Sequence, residues 1–188
     1  YSSTLPLASW LETADFDGDG DFEVATGSND GNQVAIMGRD AEGRLVPEAT
    51  VDVGQPVFQL KVCDLDGDGR TDLVVGVHGG LKVLRNTSSP GSYSFDVLPG
   101  SPVAIGSGDY PFGIAVADLD RDGDFDIAVC DFAGGAVHIV QGTSSPFTFA
   151  GETVIPVGGT PIDVVAEDFT GDGRFDLAVS VASAASIV

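Results

Sequence analysis

FQLKVCDLDGDGRTDLVVGV, residues 58–77, sets two apolar runs on either side of an acidic segment broken by glycines. The central nine residues, DLDGDGRTD from Asp64, return three more times, as DFDGDGDFE from Asp15, DLDRDGDFD from Asp118 and DFTGDGRFD from Asp168. The four starts lie 49, 54 and 50 residues apart. A fixed period of this length marks a repeat architecture, and carboxylates at alternate positions mark a cation site.

In the copy at Asp64, the carboxylates of Asp64, Asp66 and Asp68 alternate with Leu65 and Gly67, so a tight loop turns all three inward. Gly67 and Gly69 allow the backbone angles that such a turn needs. Asp72 closes the loop from the far side, and the carbonyl of Arg70 offers a further oxygen. An all-oxygen shell suits calcium, because magnesium keeps its waters and zinc prefers nitrogen or sulfur. The EF-hand begins in the same way but requires a glutamate at position twelve. Thr26, Val75, Val129 and Val179 stand there, so the EF-hand is excluded. Position nine is acidic in every copy instead, as Glu23, Asp72, Asp126 and Asp176.

A solvated acidic turn is the plain alternative, since Asp and Gly favour turns; four copies in register weigh for metal. The copies differ. Thr170 replaces a carboxylate in the fourth, which predicts weaker binding there, Arg121 replaces the first glycine of the third, and Glu23 lengthens the closing side chain of the first. The expectation is three or four calcium ions.

Charge agrees. The chain carries 29 acidic and 8 basic residues for a formal charge of −21, and 17 of the acids lie in the four loops. Clustered like charges repel, so the metal-free form is expected to be the less stable one. Such a surface argues against nucleic acid as a partner.

The flanks decide the fold class. SWLETA, FQLKVC, FGIAVA and IDVVAE precede the loops, and EVATG, DLVVGV, DIAVCD and DLAVSV include or follow their last residues. These short apolar runs, bounded by Gly, Pro and Asp, read as strands, and no long segment has helical periodicity. Gly 26 and Pro 10 supply many turns. In the third period a four-strand order can be written: 112–117, the acidic loop, 126–130, a turn at 133–135, 136–141, a turn near 144–146, then 148–157. Four antiparallel strands per period form a β-propeller blade. The expected fold is therefore all-β with helix essentially absent. It has three full four-stranded blades, 5–54, 55–107 and 108–158, and an incomplete fourth, 159–188.

The nine-residue loop between the first two strands of a blade resembles the FG-GAP and VCBS repeats of integrin alpha-chain propellers and many secreted proteins. Phe112 and Gly113 supply an FG pair in the third repeat. The resemblance implies calcium held by side chains at positions one, three, five and nine and by the carbonyl at position seven. In the first loop these are Asp15, Asp17, Asp19, Glu23 and the carbonyl of Asp21. In the second they are Asp64, Asp66, Asp68, Asp72 and the carbonyl of Arg70. In the third they are Asp118, Asp120, Asp122, Asp126 and the carbonyl of Asp124. In the fourth they are Asp168, Thr170, Asp172, Asp176 and the carbonyl of Arg174. It also implies an extracellular or cell-surface module that meets a protein or glycan partner on the face opposite the loops, near 28–32, 78–80, 131–135 and 106–111.

The sequence stops at Ile187 and Val188, within the third strand of the fourth blade, and Tyr1–Thr4 is a candidate closing strand. The expectation is a part of a larger propeller, or a self-associating protomer that completes the ring. No membrane span or signal peptide is visible. Cys63 and Cys130 occupy slots held elsewhere by Ala14, Ala117 and Glu167, and by Gly27, Gly76 and Ser180, which predicts free packed thiols. Asn86-Thr87-Ser88 is a possible glycosylation site. His78 and His138 fall at different places in their repeats and read as ordinary surface or strand residues. No catalytic residues are expected, so the reading is a calcium-stabilised binding or assembly module and not an enzyme. A lectin-like role and a calcium-dependent polysaccharide lyase or hydrolase are the alternatives.

Overall fold

A computed structural model describes residues 9–99, 103–106 and 110–182. The described residues contain strands and turns and no helix. The first sheet is β1 (Trp10–Ala14), β2 (Glu23–Gly27), β3 (Gln33–Arg39) and β4 (Leu45–Asp52). The second is β5 (Val57–Cys63), β6 (Asp72–Val77), β7 (Gly80–Asn86) and β8 (Phe95–Val97). β9 (Pro111–Ala117), β10 (Asp126–Asp131), β11 (Ala136–Gly142) and β12 (Phe149–Pro156) make the third, and β13 (Pro161–Glu167) pairs with β14 (Asp176–Val181). Every pairing is antiparallel and follows chain order within its sheet. The third strand expected at Ile187 and Val188, and the strand expected at Tyr1–Thr4, lie outside the described residues.

The sheets stack face to face as propeller-like blades, with the inner strands β1, β5, β9 and β13 in successive contact. Burial shows why the sequence divides in this way. The second strands β6 and β10 are buried at every residue, because each is covered by a neighbouring sheet on both faces. Their alternate residues sort accordingly. Leu73, Val75 and Val77 join the core shared with the first sheet, while Val74 joins the core shared with the third. Ile127 and Val129 face the second sheet, and Ala128 and Cys130 face the fourth. The outermost strands β4 and β12 are largely exposed and carry Glu48 and Glu152.

The slot shared by Gly27, Gly76 and Cys130 is where the next inner strand passes. A Cβ on Gly27 would lie 2.6 Å from Val57 Cγ1, and one on Gly76 2.9 Å from the Pro111 carbonyl oxygen. A register irregularity recurs beside this slot in the inner pairs of the second, third and fourth sheets. In the third sheet Phe112 pairs with Cys130 and Ile114 with Val129, so Gly113 is the extra residue of a β-bulge. Its Cα faces the backbone of Asp163 so closely that a Cβ would overlap it. The glycine of the FG pair is thus a contact between blades. Both cysteines are free, Cys130 buried and Cys63 half-buried.

Candidate metal centres

Each acidic loop folds around its first aspartate. Asp15 Oδ1 accepts the N–H groups of Gly18 at 2.7 Å and Asp19 at 3.1 Å, and its Oδ2 accepts that of Gly20 at 2.9 Å. Asp64 holds Asp68 and Gly69, Asp118 holds Asp122 and Gly123, and Asp168 holds Gly171, Asp172 and Gly173 in the same way. Positions three and five cap the N–H two residues ahead, as Asp66 does for Asp68 and Asp68 for Arg70. In the third loop Arg121 adopts φ 69° where the other loops place glycine, a backbone region unfavourable for a long side chain.

This geometry gathers carboxylates. Asp15, Asp17 and Asp19 bring one oxygen each within 4.8 Å of one another, as do Asp118, Asp120 and Asp122. In the second loop the trio is Asp64, Asp66 and Asp72. All offered ligands are oxygens, a donor set that fits a hard divalent cation. Among the described residues the fourth loop yields no such trio, since Thr170 stands where a third carboxylate would be. The side chains of Asp21 and Asp124 lie outside the trios; it is the carbonyls of Asp21, Arg70, Asp124 and Arg174 that the sequence pattern nominates.

Position nine has a role that the pattern did not disclose. Asp72 Oδ2 accepts the N–H of Leu65 at 3.0 Å and its Oδ1 that of Asn86 at 2.7 Å. Asp126 serves Leu119 and Gly142 identically, each at 2.9 Å. This carboxylate therefore ties the loop to the end of the third strand. Glu23 accepts the loop N–H of Phe16 and Asp176 that of Phe169.

The electrostatics are those of crowded anions. Burial raises Glu23, with Asp17, Asp19 and Asp15 adding to it against the Phe16 N–H. Burial likewise pushes Asp72 up to about 6 despite its two N–H partners. Asp120 and Asp124 are raised by desolvation and by neighbouring carboxylates. Asp168 is lowered, chiefly by the Gly173 N–H.

Asn86, the residue of the glycosylation triplet, lies inside the fold. It is fully buried, its Nδ2 donates to the carbonyls of Phe16 at 2.8 Å and Thr71 at 2.9 Å, and its Oδ1 accepts the N–H of Ser88. The nitrogen that would carry a glycan is engaged inside the fold, where it joins the first loop to the second. His138 is a strand residue, as expected, and it also has polar partners. It is buried on β11, with Nδ1 2.7 Å from Glu152 Oε1 and Nε2 3.4 Å from Asp131 Oδ2. Glu152 also accepts the N–H of Gly106, so the group anchors the crossover from the second sheet to the third.

The turns at 28–32, 78–79 and 132–135 lie at the opposite end of the sheets from the acidic loops. An aromatic row runs along that end. Trp10 and Phe58 stand against Phe112, Phe58 and His78 against Tyr110, and Phe112 against Phe132, with ring centroids 5.0–6.2 Å apart. Tyr110 and Phe132 are exposed. Of the stretch 106–111 named from sequence, 107–109 lie outside the described residues. No described helix is long and apolar enough to cross a membrane.

Three overlapping stretches, residues 15–75, 64–129 and 126–179, match the family model described as an FG-GAP-like repeat. Integrin alpha-7 of Rattus norvegicus is 35% identical over 138 residues, which cover 62% of this chain and 12% of that protein. Integrin alpha-7 of Mus musculus is 36% identical and that of Homo sapiens 35%, each over 138 residues, 62% of this chain and 11% of theirs. The chain thus spans a small fraction of the length of these curated relatives. In the solved structures, a chain of the crystal structure of BBS1N in complex with ARL6DN, soaked with mercury, aligns with a TM-score of 0.55 at 16% identity. The alignment covers 91% of this chain and 46% of that one. At that identity the likeness concerns the fold alone.

Proposed function

The chain belongs to the family of FG-GAP-like repeats, and from that premise we propose that it is a calcium-stabilised, non-catalytic binding or assembly module of the extracellular space or cell surface. The observation that carries this reading is the convergence of three carboxylate oxygens in each of three loops built on one repeated pattern. Burial is the main cause that raises Glu23, Asp72, Asp120 and Asp124, and a divalent cation relieves the repulsion between carboxylates that adds to it. The cation is a staple, holding the turn between the first two strands of a blade, and not a reaction centre.

Partner binding falls to the other end. The aromatic row ending in exposed Tyr110 and Phe132 offers flat apolar area of the kind that anchors a protein or glycan ligand. The face of the fourth sheet turned away from β9–β12 exposes Val165, and we assign it to a further blade of a longer chain or to a second copy. The blade limits read from the sequence, 5–54, 55–107, 108–158 and 159–188, stand as part of this proposal.

Calorimetric titration of calcium into chelator-treated protein tests the reading. The expected result is binding of at least two ions with a higher melting temperature in calcium. No binding, or identical melting with calcium and with chelator, overturns it.

A further inference from the structure

The second loop has the most regular sequence of the four, yet it gathers a different trio. Positions one, three and five converge in the first and third loops, whereas the second brings together one, three and nine. The missing member is Asp68. Its Oδ2 is held by Arg70 Nη2 and lies 3.3 Å from Arg85 Nη2. Arg85 Nη2 is also 3.1 Å from Asp66 Oδ2, and the Asp66 side chain is only 5% exposed. Arg70 is fixed in turn, its Nε donating to the Asn86 carbonyl at 2.9 Å. Two of the eight basic residues in the chain therefore meet on one acidic loop.

Arg85 also has somewhere to go. Its guanidinium carbon is 5.9 Å from the centroid of the Phe147 ring, which belongs to the turn between β11 and β12 of the next sheet. That ring lines the groove between the second and third loops together with Asp64, Asp66 and Phe125.

We propose that Arg70 and Arg85 are built-in counter-cations of the second loop: they neutralise Asp66 and Asp68, withdraw Asp68 from the ligand set, and hold this loop in shape without a metal. A divalent cation must displace Arg85 to enter, so the second loop is the weaker calcium site beside the first and third. Displaced Arg85 remains over Phe147, in contact with the neighbouring sheet. The inference rests on the reading of the loops as calcium sites.

The test is calcium titration of chelator-treated wild type, R70Q/R85Q and R70K/R85K, each alone and with Asp64→Asn. In wild type and R70K/R85K, D64N is expected to leave the tightly bound ions unchanged. R70Q/R85Q is expected to gain one ion bound about tenfold or more tightly than any at that loop in wild type, and D64N to remove it. In chelator, R70Q/R85Q is expected to melt below wild type, and calcium to close the gap. If R70Q/R85Q is unfolded in chelator, the gained ion is read after refolding in calcium. Loss of a tight ion from wild type on D64N, with no gain in R70Q/R85Q, overturns the counter-cation role and leaves the calcium reading intact. Absence of binding in every protein overturns both.

Discussion

The first and fourth acidic loops follow one pattern but sit in different surroundings. Phe16, at position two of the first loop, is 1% exposed and lies edge-on to Phe95 of the second sheet. Its carbonyl takes the Asn86 amide, and Asp17 Oδ2 takes the N–H of Gly91, both from the next sheet. Phe169 occupies the same position in the fourth loop and is 58% exposed. The bonds around the first aspartate are nevertheless the same in the two loops. Loop conformation is thus written locally in Asp and Gly, while loop burial is supplied by the blade that follows.

The sharpest challenge to that contrast is truncation of the two rings. Phe16→Ala is expected to cost about 3–4 kcal/mol in urea unfolding, whereas Phe169→Ala stays within about 0.5 kcal/mol. Equal losses would show that the fourth loop is as well covered as the first. The calcium contribution should divide in the same direction. With free calcium about a hundredfold above the dissociation constant, Asp19→Asn is expected to remove about 2.7 kcal/mol of calcium-dependent stability, and Asp172→Asn well under half of that. Melting with and without chelator reads the difference.

Asn86→Ala tests the link between blades directly. It leaves the carbonyls of Phe16 and Thr71 without their donor, for an expected loss of about 2 kcal/mol, and faster amide exchange in the first loop than in the third. The smallest effect is on pH dependence in metal-free buffer. Glu23 is raised above its ordinary 4.5, so it contributes stability that is fully present below that value and lost as pH rises through its folded value. Asp168 is lowered from 3.8, so its contribution is present above that value and lost as pH falls through its folded value. Glu23→Gln should therefore flatten the loss of melting temperature above pH 4.5, and Asp168→Asn should shrink the loss that appears below pH 3.8.

What could be read from the sequence was what recurs. The strand order written for 112–157 appears as β9–β12 with no end shifted by more than one residue, because each strand is bounded by its own loop or glycine turn. The slot of Gly27, Gly76 and Cys130 was legible as a packing position, since only small residues fill it. What stayed hidden depends on contacts across blades. Asn86 resembles a glycosylation signal, and nothing in its neighbours announces that it bonds Phe16, 70 positions away. His138 has no counterpart in the other repeats, and its partners Asp131 and Glu152 come from two other strands. The regularity of DLDGDGRTD likewise concealed Arg85, which approaches from β7.

Cys130 turns the slot between the third and fourth sheets into a built-in reporter. Its thiol is 0% exposed and is pushed up to about 12, chiefly by burial and further by Asp163. Neutral and shielded, it is inert to alkylation while the sheets are closed. The rate at which a thiol reagent labels Cys130 therefore measures how often that interface breathes. Cys63, half-buried beside the second acidic loop, serves as its reference on the same chain.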